Sequence, residues 1–165
     1  EGHHGNAIIS RYPFIQWENI NVSNRSNASR SLLHGVIEPE PGCPVHIICV
    51  HLGLFSKERE EQIDVLAQRI KECVPDDEAL IVAGDFNDWR KHCDRQLKQC
   101  LDLQEVFEEM TGSHARSFPA AFPVLKVDRI YYRGFDVVDR YNRLDDKRWR
   151  RLSDHLPLYA QLRKG

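Results

Sequence analysis

Six side chains of catalytic type lie at the ends of apolar segments or, in one case, inside such a segment. In chain order they are His51, Asp85, Asn87, Asp128, Asp154 and His155. Carboxylates and imidazoles are the groups that most often transfer protons in enzymes, and carboxylate oxygens bind hard cations such as Mg²⁺. Because strand ends present side chains from a rigid scaffold, this placement predicts one shared cleft.

Each of these residues also has a structural explanation when it is taken alone. A histidine after a strand is commonly a structural or exposed residue. Gly84-Asp85-Phe86-Asn87 can be a simple turn, since Asp and Asn side chains bond their own backbone. Ser153-Asp154-His155 can likewise cap a helix or form a turn. The functional interpretation therefore depends on the whole set.

Apolar runs and turn residues predict the elements that position these side chains. Strands are predicted over residues 6–10, 31–38, 45–50, 79–83, 127–132, 135–138 and 158–162, with a loop over 19–30 and a turn at 39–42. The clearest helix runs from Ser56, as its cap, to Cys73, and one or two more are expected within 93–110. Strands interleaved with helices indicate an α/β fold, taken as one domain over 1–165.

The bulk composition limits the class of protein. The 165 residues carry a formal net charge of −2 and are 41% hydrophobic, which suits one core and gives no strongly basic surface overall. No apolar run approaches the roughly 20 residues that cross a bilayer. The five cysteines are an odd number without a Cys-x-x-Cys pair, which favours reduced thiols in the cytoplasm over a disulfide framework or a zinc site.

One basic stretch comes just before Ser153. It contains Arg140, Arg143, Lys147, Arg148, Arg150 and Arg151. A solvated loop and a surface that steers phosphate groups explain this stretch equally well.

The six residues, in their order and spacing, resemble the endonuclease/exonuclease/phosphatase (DNase-I-like) superfamily. The motifs that carry the resemblance are His51-Leu52, Gly84-Asp85-Phe86-Asn87, Asp128-Arg129-Ile130 and Ser153-Asp154-His155, with Ser10-Arg11-Tyr12-Pro13, Arg59, Gln62 and Ser117-Phe118-Pro119-Ala120 in support. The resemblance covers essentially the whole chain and is greatest to small bacterial hydrolases. It implies a four-layer α/β/β/α sandwich, in which two mixed β-sheets pack face to face.

The resemblance also implies roles in the hydrolysis of a phosphate ester. Asp85 would orient or deprotonate the attacking water. Asn87 would hold a phosphoryl oxygen or the nucleophile. His51 and His155 would donate hydrogen bonds to the phosphoryl oxygens as charge builds on them. Asp128 would bond the imidazole of His155, fix its tautomer and favour its charged form.

The metal site implied by the resemblance is incomplete in this chain. Asp154, Asp85 and Asn87 would bind one Mg²⁺ or Mn²⁺ ion, but the family supplies a further glutamate from an N-terminal Leu-Gln-Glu segment. This chain has a Leu-Gln-Glu segment at Leu103-Gln104-Glu105, but it follows Gly84-Asp85-Phe86-Asn87, whereas the family's segment precedes that motif. Its helical context predicts that Glu105 is a surface helix residue. The chain is therefore expected to be the C-terminal portion of its domain, and to be inactive or weakly metal-binding alone.

Three functions remain open from these residues. The same core would serve a nuclease or phosphatase, a lipid or sugar phosphodiesterase, or a binding module without activity. The expected partner is a phosphate-ester substrate, either nucleic acid, lipid or small molecule, with no stable protein partner and no transmembrane segment. The overall acidity weakly disfavours a processive nucleic-acid enzyme. Hydrolysis of bis-p-nitrophenyl phosphate would separate an enzyme from a binding module.

Overall fold

The computed structural model describes residues 5–23, 30–90 and 93–164. In chain order the elements are β1 (Phe14–Asn21), β2 (Ser31–Glu40), β3 (Cys43–His51), α1 (Ser56–Cys73), β4 (Ala79–Asp85), α2 (Asp94–Leu101), β5 (Gln104–Glu105), α3 (Val106–Thr111), β6 (Asp128–Arg133), β7 (Val137–Arg143), a 3₁₀ turn (Trp149–Arg151) and β8 (Leu158–Arg163). Among these described residues no helix combines the length and the apolarity needed to cross a bilayer.

The strands form two sheets. The larger has the order β1-β2-β3-β4-β6-β5, and the smaller is the antiparallel pair β7-β8. Only β3 and β4 run parallel within the larger sheet, and its other neighbours are antiparallel. The α/β fold with two sheets that the sequence predicts is confirmed.

Two apolar clusters hold these layers together. Helix α1 covers one face of the larger sheet, where Leu66 and Ile70 pack with Ile48 and Leu80. The smaller sheet packs around Tyr132 in the second cluster. Because successive strand residues point to opposite faces, Tyr131 belongs to the first cluster and Tyr132 to the second. The larger sheet is therefore apolar on both faces at β6.

A chain of buried polar groups lies between the larger sheet and α1. His34 Nε2 lies 2.9 Å from His46 Nδ1, and His46 Nε2 lies 2.6 Å from Glu78 Oε2. Arg69 Nε donates to His34 Nδ1 at 3.1 Å. Burial, followed by the charges of His46 and Arg69, lowers the pKa of His34 to about 4. These histidines are satisfied within the layer and are core groups.

Three local predictions were wrong. Residues 6–10 form no strand, because Asn6 instead donates its side-chain amide to the carbonyl oxygens of Ser31 and Cys49. The predicted loop over 19–30 begins too early, since strand β1 extends to Asn21, and residues 24–29 lie outside the described residues. Ser56 is not the cap of α1, because Phe55 occupies that position without a side-chain hydrogen bond.

Candidate active site

The strand register brings three of the six predicted residues into one row across the larger sheet. His51 ends β3 and is paired with Asp85, which ends the parallel strand β4. Asp85 is paired in turn with Asp128, which begins the antiparallel strand β6. Because residues paired across neighbouring strands point to the same face, the three side chains lie together at the edge of the sheet formed by the ends of these strands. His51 Nε2 lies 3.7 Å from Asp85 Oδ2.

A glycine allows this edge to form. Gly84 adopts a φ of +140°, which side-chain-bearing residues rarely adopt. A Cβ at this position would collide with the carbonyl oxygen of Val50 in the neighbouring strand. The glycine of the Gly-Asp-Phe-Asn motif therefore lets β4 approach β3 directly before Asp85.

The turn after β4 fixes Asp85 and Asn87. Asp85 Oδ1 accepts a hydrogen bond from the backbone N–H of Asn87 at 2.8 Å. Asn87 has a φ of 49°, a left-handed conformation that Asn tolerates better than most residues. Its Nδ2 donates to the carbonyl oxygen of Leu52 at 2.9 Å. The turn thereby joins the ends of β3 and β4.

His155 reaches the row from the segment before β8. Its Nδ1 lies 2.8 Å from Asp128 Oδ2, and its ring packs 4.8 Å from the ring of Phe118. The hydrogen bond to Asp128 raises the pKa of His155. The predicted contact between Asp128 and His155 is therefore present.

Asp85 lies in a setting that favours its neutral form. Burial and the nearby charge of Asp128 raise the pKa of Asp85 to about 6. A carboxyl group with a pKa in this range can take up and release a proton near neutral pH. This property distinguishes Asp85 from an ordinary surface aspartate.

Asp85, Asp128 and His155 bring three potential ligand atoms together at this edge. Each offers one ligand atom, and these atoms lie within 4.8 Å of one another. Two carboxylates among three donors suit a hard divalent ion. A cavity of about 370 Å³ opens beside Asp128 and His155.

Asp154 lies near this group without joining it. Its side chain is exposed, and its Oδ1 lies 3.4 Å from Ser153 Oγ. Its backbone carbonyl accepts from the N–H of Ala120 at 2.6 Å. Its charge contributes to the raised pKa of His155. The predicted role of Asp154 as a metal ligand stays a prediction.

Sequence reasoning missed a buried ionic network beneath the site. Arg129, which is only 1% exposed, donates to Asp94 Oδ1 at 2.8 Å and lies 3.4 Å from Asp88 Oδ2. His114 Nε2 lies 2.7 Å from Asp94 Oδ2, and Tyr131 also donates to Asp94. Burial would raise the pKa of Asp94, but the hydrogen bond from His114 and the charge of Arg129 outweigh it and lower that pKa. An arginine within a buried strand was the available signal, since such a charge needs partners.

The network touches the candidate site through adjacent residues. Arg129 follows Asp128 in β6, and Asp88 follows Asn87 in the turn. Arg129 also donates to the backbone carbonyl of Asp88. The backbone on both sides of the cleft is thereby anchored to one buried guanidinium.

Glu105 belongs to this network, and the prediction that it is a surface helix residue was wrong. It is 2% exposed, lies in β5 and precedes helix α3. Its Oε2 accepts from the N–H of Glu108 at 2.8 Å and lies 2.8 Å from His114 Nδ1. Its carboxylate therefore caps α3 and binds a buried histidine.

Part of the basic stretch before Ser153 is structural. Arg143 donates to the carbonyl of Arg116 at 3.0 Å and to Asp145. Arg150 donates to the carbonyls of Asp145 and Ala121 at 2.9 and 3.0 Å. These two arginines hold loops together, which supports the structural interpretation for them.

The chain matches a protein-family model and a curated relative. The model of the Endonuclease/Exonuclease/phosphatase family matches residues 1–155. The uncharacterized protein YbhP of Escherichia coli K12 is 43% identical over 163 residues, which are 98% of this chain and 64% of that protein. The chain thus spans 64% of the length of this curated relative.

Solved structures share the same architecture. A mannosyl-6-phosphatase from Bacteroides thetaiotaomicron has a TM-score of 0.74 at 19% identity, covering 92% of this chain and 67% of that one. A functionally unknown conserved protein from Enterococcus faecalis has a TM-score of 0.73 at 20% identity, with coverage of 93% and 67%. Humanized TDP2 of D. rerio has a TM-score of 0.71 at 25% identity, with coverage of 93% and 68%. The two matches below 25% identity show the fold alone.

Proposed function

The chain belongs to the endonuclease/exonuclease/phosphatase family, and from this membership we propose that it carries the catalytic groups of a metal-dependent hydrolase of phosphodiesters. The observation that carries the proposal is the cluster of Asp85, Asp128 and His155, whose ligand atoms lie within 4.8 Å of one another. His51 stands beside this cluster, 3.7 Å from Asp85. Because the chain spans 64% of its relative, the activity of the whole protein is part of the proposal.

Asp85 is the proposed base. Its pKa of about 6 leaves it largely ionised at neutral pH but able to accept a proton from water, as an efficient general base requires. The hydrogen bond from Asn87 to Asp85 Oδ1 leaves Oδ2 of the carboxylate on the side of His51. Asp85 would orient the attacking water and remove its proton.

His155 is the proposed hydrogen-bond donor to the phosphoryl group. Asp128 holds its Nδ1 at 2.8 Å and favours the protonated ring, as the raised pKa of His155 indicates. A cationic donor fixed in position stabilises the charge that develops on phosphoryl oxygens in the transition state. His51 and Asn87 would bind the same phosphoryl group from the other side of Asp85.

A divalent cation fits the donor set. Asp85 and Asp128 would hold Mg²⁺ or Mn²⁺, with Asp154 as a further carboxylate nearby. Such an ion neutralises charge on the phosphate and polarises its oxygens. Glu105 cannot complete the site, because its carboxylate is bound to His114 and to α3. The expectation of a further carboxylate from outside these 165 residues stays a prediction, as do the single domain over 1–165 and the cytoplasmic location.

The test is the hydrolysis of bis-p-nitrophenyl phosphate by the whole protein, with any residues beyond these 165 included, in the presence of Mg²⁺ or Mn²⁺ and in EDTA. Asp85→Asn and His155→Ala should each lower kcat by at least about 100-fold, because each removes a positioned base or charge-stabilising donor. Asp77→Asn is the matched control, since Asp77 is exposed in the loop before β4, at the opposite end of that strand. Turnover that survives EDTA, or near-normal turnover by Asp85→Asn, would contradict the proposal.

A further inference from the structure

Six large apolar side chains are exposed on the loops around the candidate active site. They are Leu54, Phe55, Trp89, Phe122, Val124 and Leu152, which are 57, 73, 44, 76, 45 and 67% exposed. We call this set the apolar rim. Exposed apolar side chains concentrated in one region indicate a surface that another molecule covers.

One side of the apolar rim follows strands β3 and β4. Leu54 and Phe55 come just after His51, and Trp89 comes two residues after Asn87. Arg59, which is buried, donates to the carbonyl of Leu54 at 2.5 Å, and its guanidinium lies 5.6 Å from the centre of the Trp89 ring. The two loops are therefore joined, and their apolar side chains are held at the edge of the sheet that carries Asp85.

The other side of the apolar rim surrounds His155. Phe122 and Val124 lie in the loop that packs Phe118 against the His155 ring. Leu152 comes three residues before His155. The loop of Phe122 is tied to the loop of Leu152 by the hydrogen bond from Ala120 to the Asp154 carbonyl and by that from Arg150 to the Ala121 carbonyl. The loops that carry these apolar side chains thus follow β3 and β4 on one side and are bonded to the segment of His155 on the other.

The chemistry of the apolar rim favours a lipid surface over a single-stranded nucleic acid. Nucleic-acid grooves combine aromatic platforms with a continuous basic track. Leu54, Val124 and Leu152 are aliphatic and offer no stacking face. The loop of Leu152 has exposed cations at positions 147, 148, 150 and 151 and exposed carboxylates at positions 146 and 154, and the chain as a whole carries a net charge of −2. A few cations beside inserted apolar groups are what a protein needs to bind an anionic bilayer surface.

We propose that the apolar rim docks the cleft onto a bilayer surface with anionic head groups, and that the substrate of the site is the phosphodiester of a phospholipid. The identity of the substrate rests on the proposed function, whereas the docking does not. In the reaction, the oxygen of water bonds to phosphorus, one ester P–O bond breaks, and the leaving oxygen takes up a proton. The products are a phosphate monoester and an alcohol.

The binding experiment is co-sedimentation of the protein with vesicles in EDTA, so that no turnover is needed. One set of vesicles contains phosphatidylcholine alone, and the other contains equal parts of phosphatidylcholine and phosphatidylglycerol. We expect binding to the anionic vesicles that weakens in high salt. The double variant Phe122→Ser/Leu152→Ser should reduce the bound fraction on the order of tenfold. Val65→Ser, at an exposed valine of α1, is the matched control and should bind as the parent does.

The outcomes separate the docking from the chemistry. Both variants should keep the circular dichroism spectrum of the parent, because the altered side chains are exposed. Binding to vesicles without hydrolysis of phosphatidylglycerol or bis-p-nitrophenyl phosphate by the whole protein, in Mg²⁺ or Mn²⁺, would support the docking and contradict the proposed function. Hydrolysis of the soluble diester without any vesicle binding would overturn the docking. Binding of a single-stranded oligonucleotide that Phe122→Ser/Leu152→Ser abolishes, with no vesicle binding, would also overturn it and assign the apolar rim to nucleic acid.

Discussion

Replacing Arg129 by methionine should destabilise the protein strongly, even though methionine is apolar and of similar length. Arg129 is the cation that faces two buried carboxylates, Asp94 at 2.8 Å and Asp88 at 3.4 Å. Without the guanidinium, both carboxylates would remain inside the protein without the cation that neutralises their negative charge. Removing one partner of a buried ion pair costs more than the pair contributes, because an uncompensated charge stays in a poorly solvated place.

The magnitude follows from the remaining contacts. Breaking a buried pair typically costs about 3–5 kcal/mol. Asp94 would keep its hydrogen bond with His114, at 2.7 Å, and Asp88 would still accept the hydrogen bond from the backbone N–H of Cys93, at 2.9 Å. We therefore expect the lower end of that range, about 3 kcal/mol. A domain of this size is stable by about 5–15 kcal/mol in total, so the variant should still fold.

Urea unfolding followed by circular dichroism measures this loss. With slopes of about 1–3 kcal/mol/M, the midpoint should fall by about 1–3 M. Arg163→Met is the control, because Arg163 pairs with Asp139 on the surface, and its midpoint should hardly move. The double variant Arg129→Met/Asp94→Leu should lose less than the sum of the single variants, by about 2 kcal/mol. A midpoint for Arg129→Met equal to that of Arg163→Met would refute the reasoning.

The same network should make the stability of the protein depend on pH in the acid range. The folded protein holds the pKa of Asp94 below its usual range, so the stabilisation is fully present above the unfolded pKa of about 3.9 and is lost as pH falls below it. Arg129→Met should weaken this dependence, because the charge of Arg129 is one of its causes. Urea midpoints of the parent and of Arg129→Met at about pH 5, 4 and 3, which bracket the unfolded pKa, would measure this pH dependence.

Three further outcomes test other parts of the fold. The pKa of His34 in the folded protein, about 4, is below its unfolded value of about 6.5. As pH falls from about 6.5 to about 4, the free energy of unfolding of the parent should therefore decrease by about 3 kcal/mol more than that of His34→Gln. Urea unfolding measures this difference. Glu105→Ala should lower the free energy of unfolding by at least about 2 kcal/mol, because it removes the α3 cap and takes one carboxylate partner from buried His114, whereas the same change at exposed Gln104 should have little effect. Gly84→Ala should lower the free energy of unfolding by at least about 2 kcal/mol, because of backbone strain and the collision with β3. The same change at Gly42, where a Cβ meets no atom within 4 Å, should cost less. Equal thermal midpoints for the two alanine variants would contradict this.

The sequence predicts those elements whose apolar pattern is strong. Helix α1 runs from Ser56 to Cys73 as its helical spacing indicates, and the central strands follow their continuous apolar runs. Strand β1 was not predicted, because Trp17 and Asn19 are exposed and leave no clear alternation between buried and exposed residues. Its partner β2 decides its conformation, and that contact is not local in sequence.

The candidate site was predictable to a similar degree. His51 and Asp85 were expected at strand ends and Asp128 inside a strand, and the register places the three in one row. The burial of Glu105 was not predictable from its neighbours, since it depends on His114, nine residues later. Local periodicity describes the faces of an element, whereas a buried charge is decided by partners from other segments.

The adjacency of Asp128 and Arg129 in β6 has a consequence for how such sequences diverge. Asp128 faces the cleft, while Arg129 faces Asp88 and Asp94 on the opposite side of the sheet. A lineage that loses Arg129 first passes through a protein whose two buried acids lack their shared cation, whereas one that loses an acid first leaves Arg129 with a single carboxylate. The residues at positions 88, 94 and 129 should therefore change together or not at all among relatives.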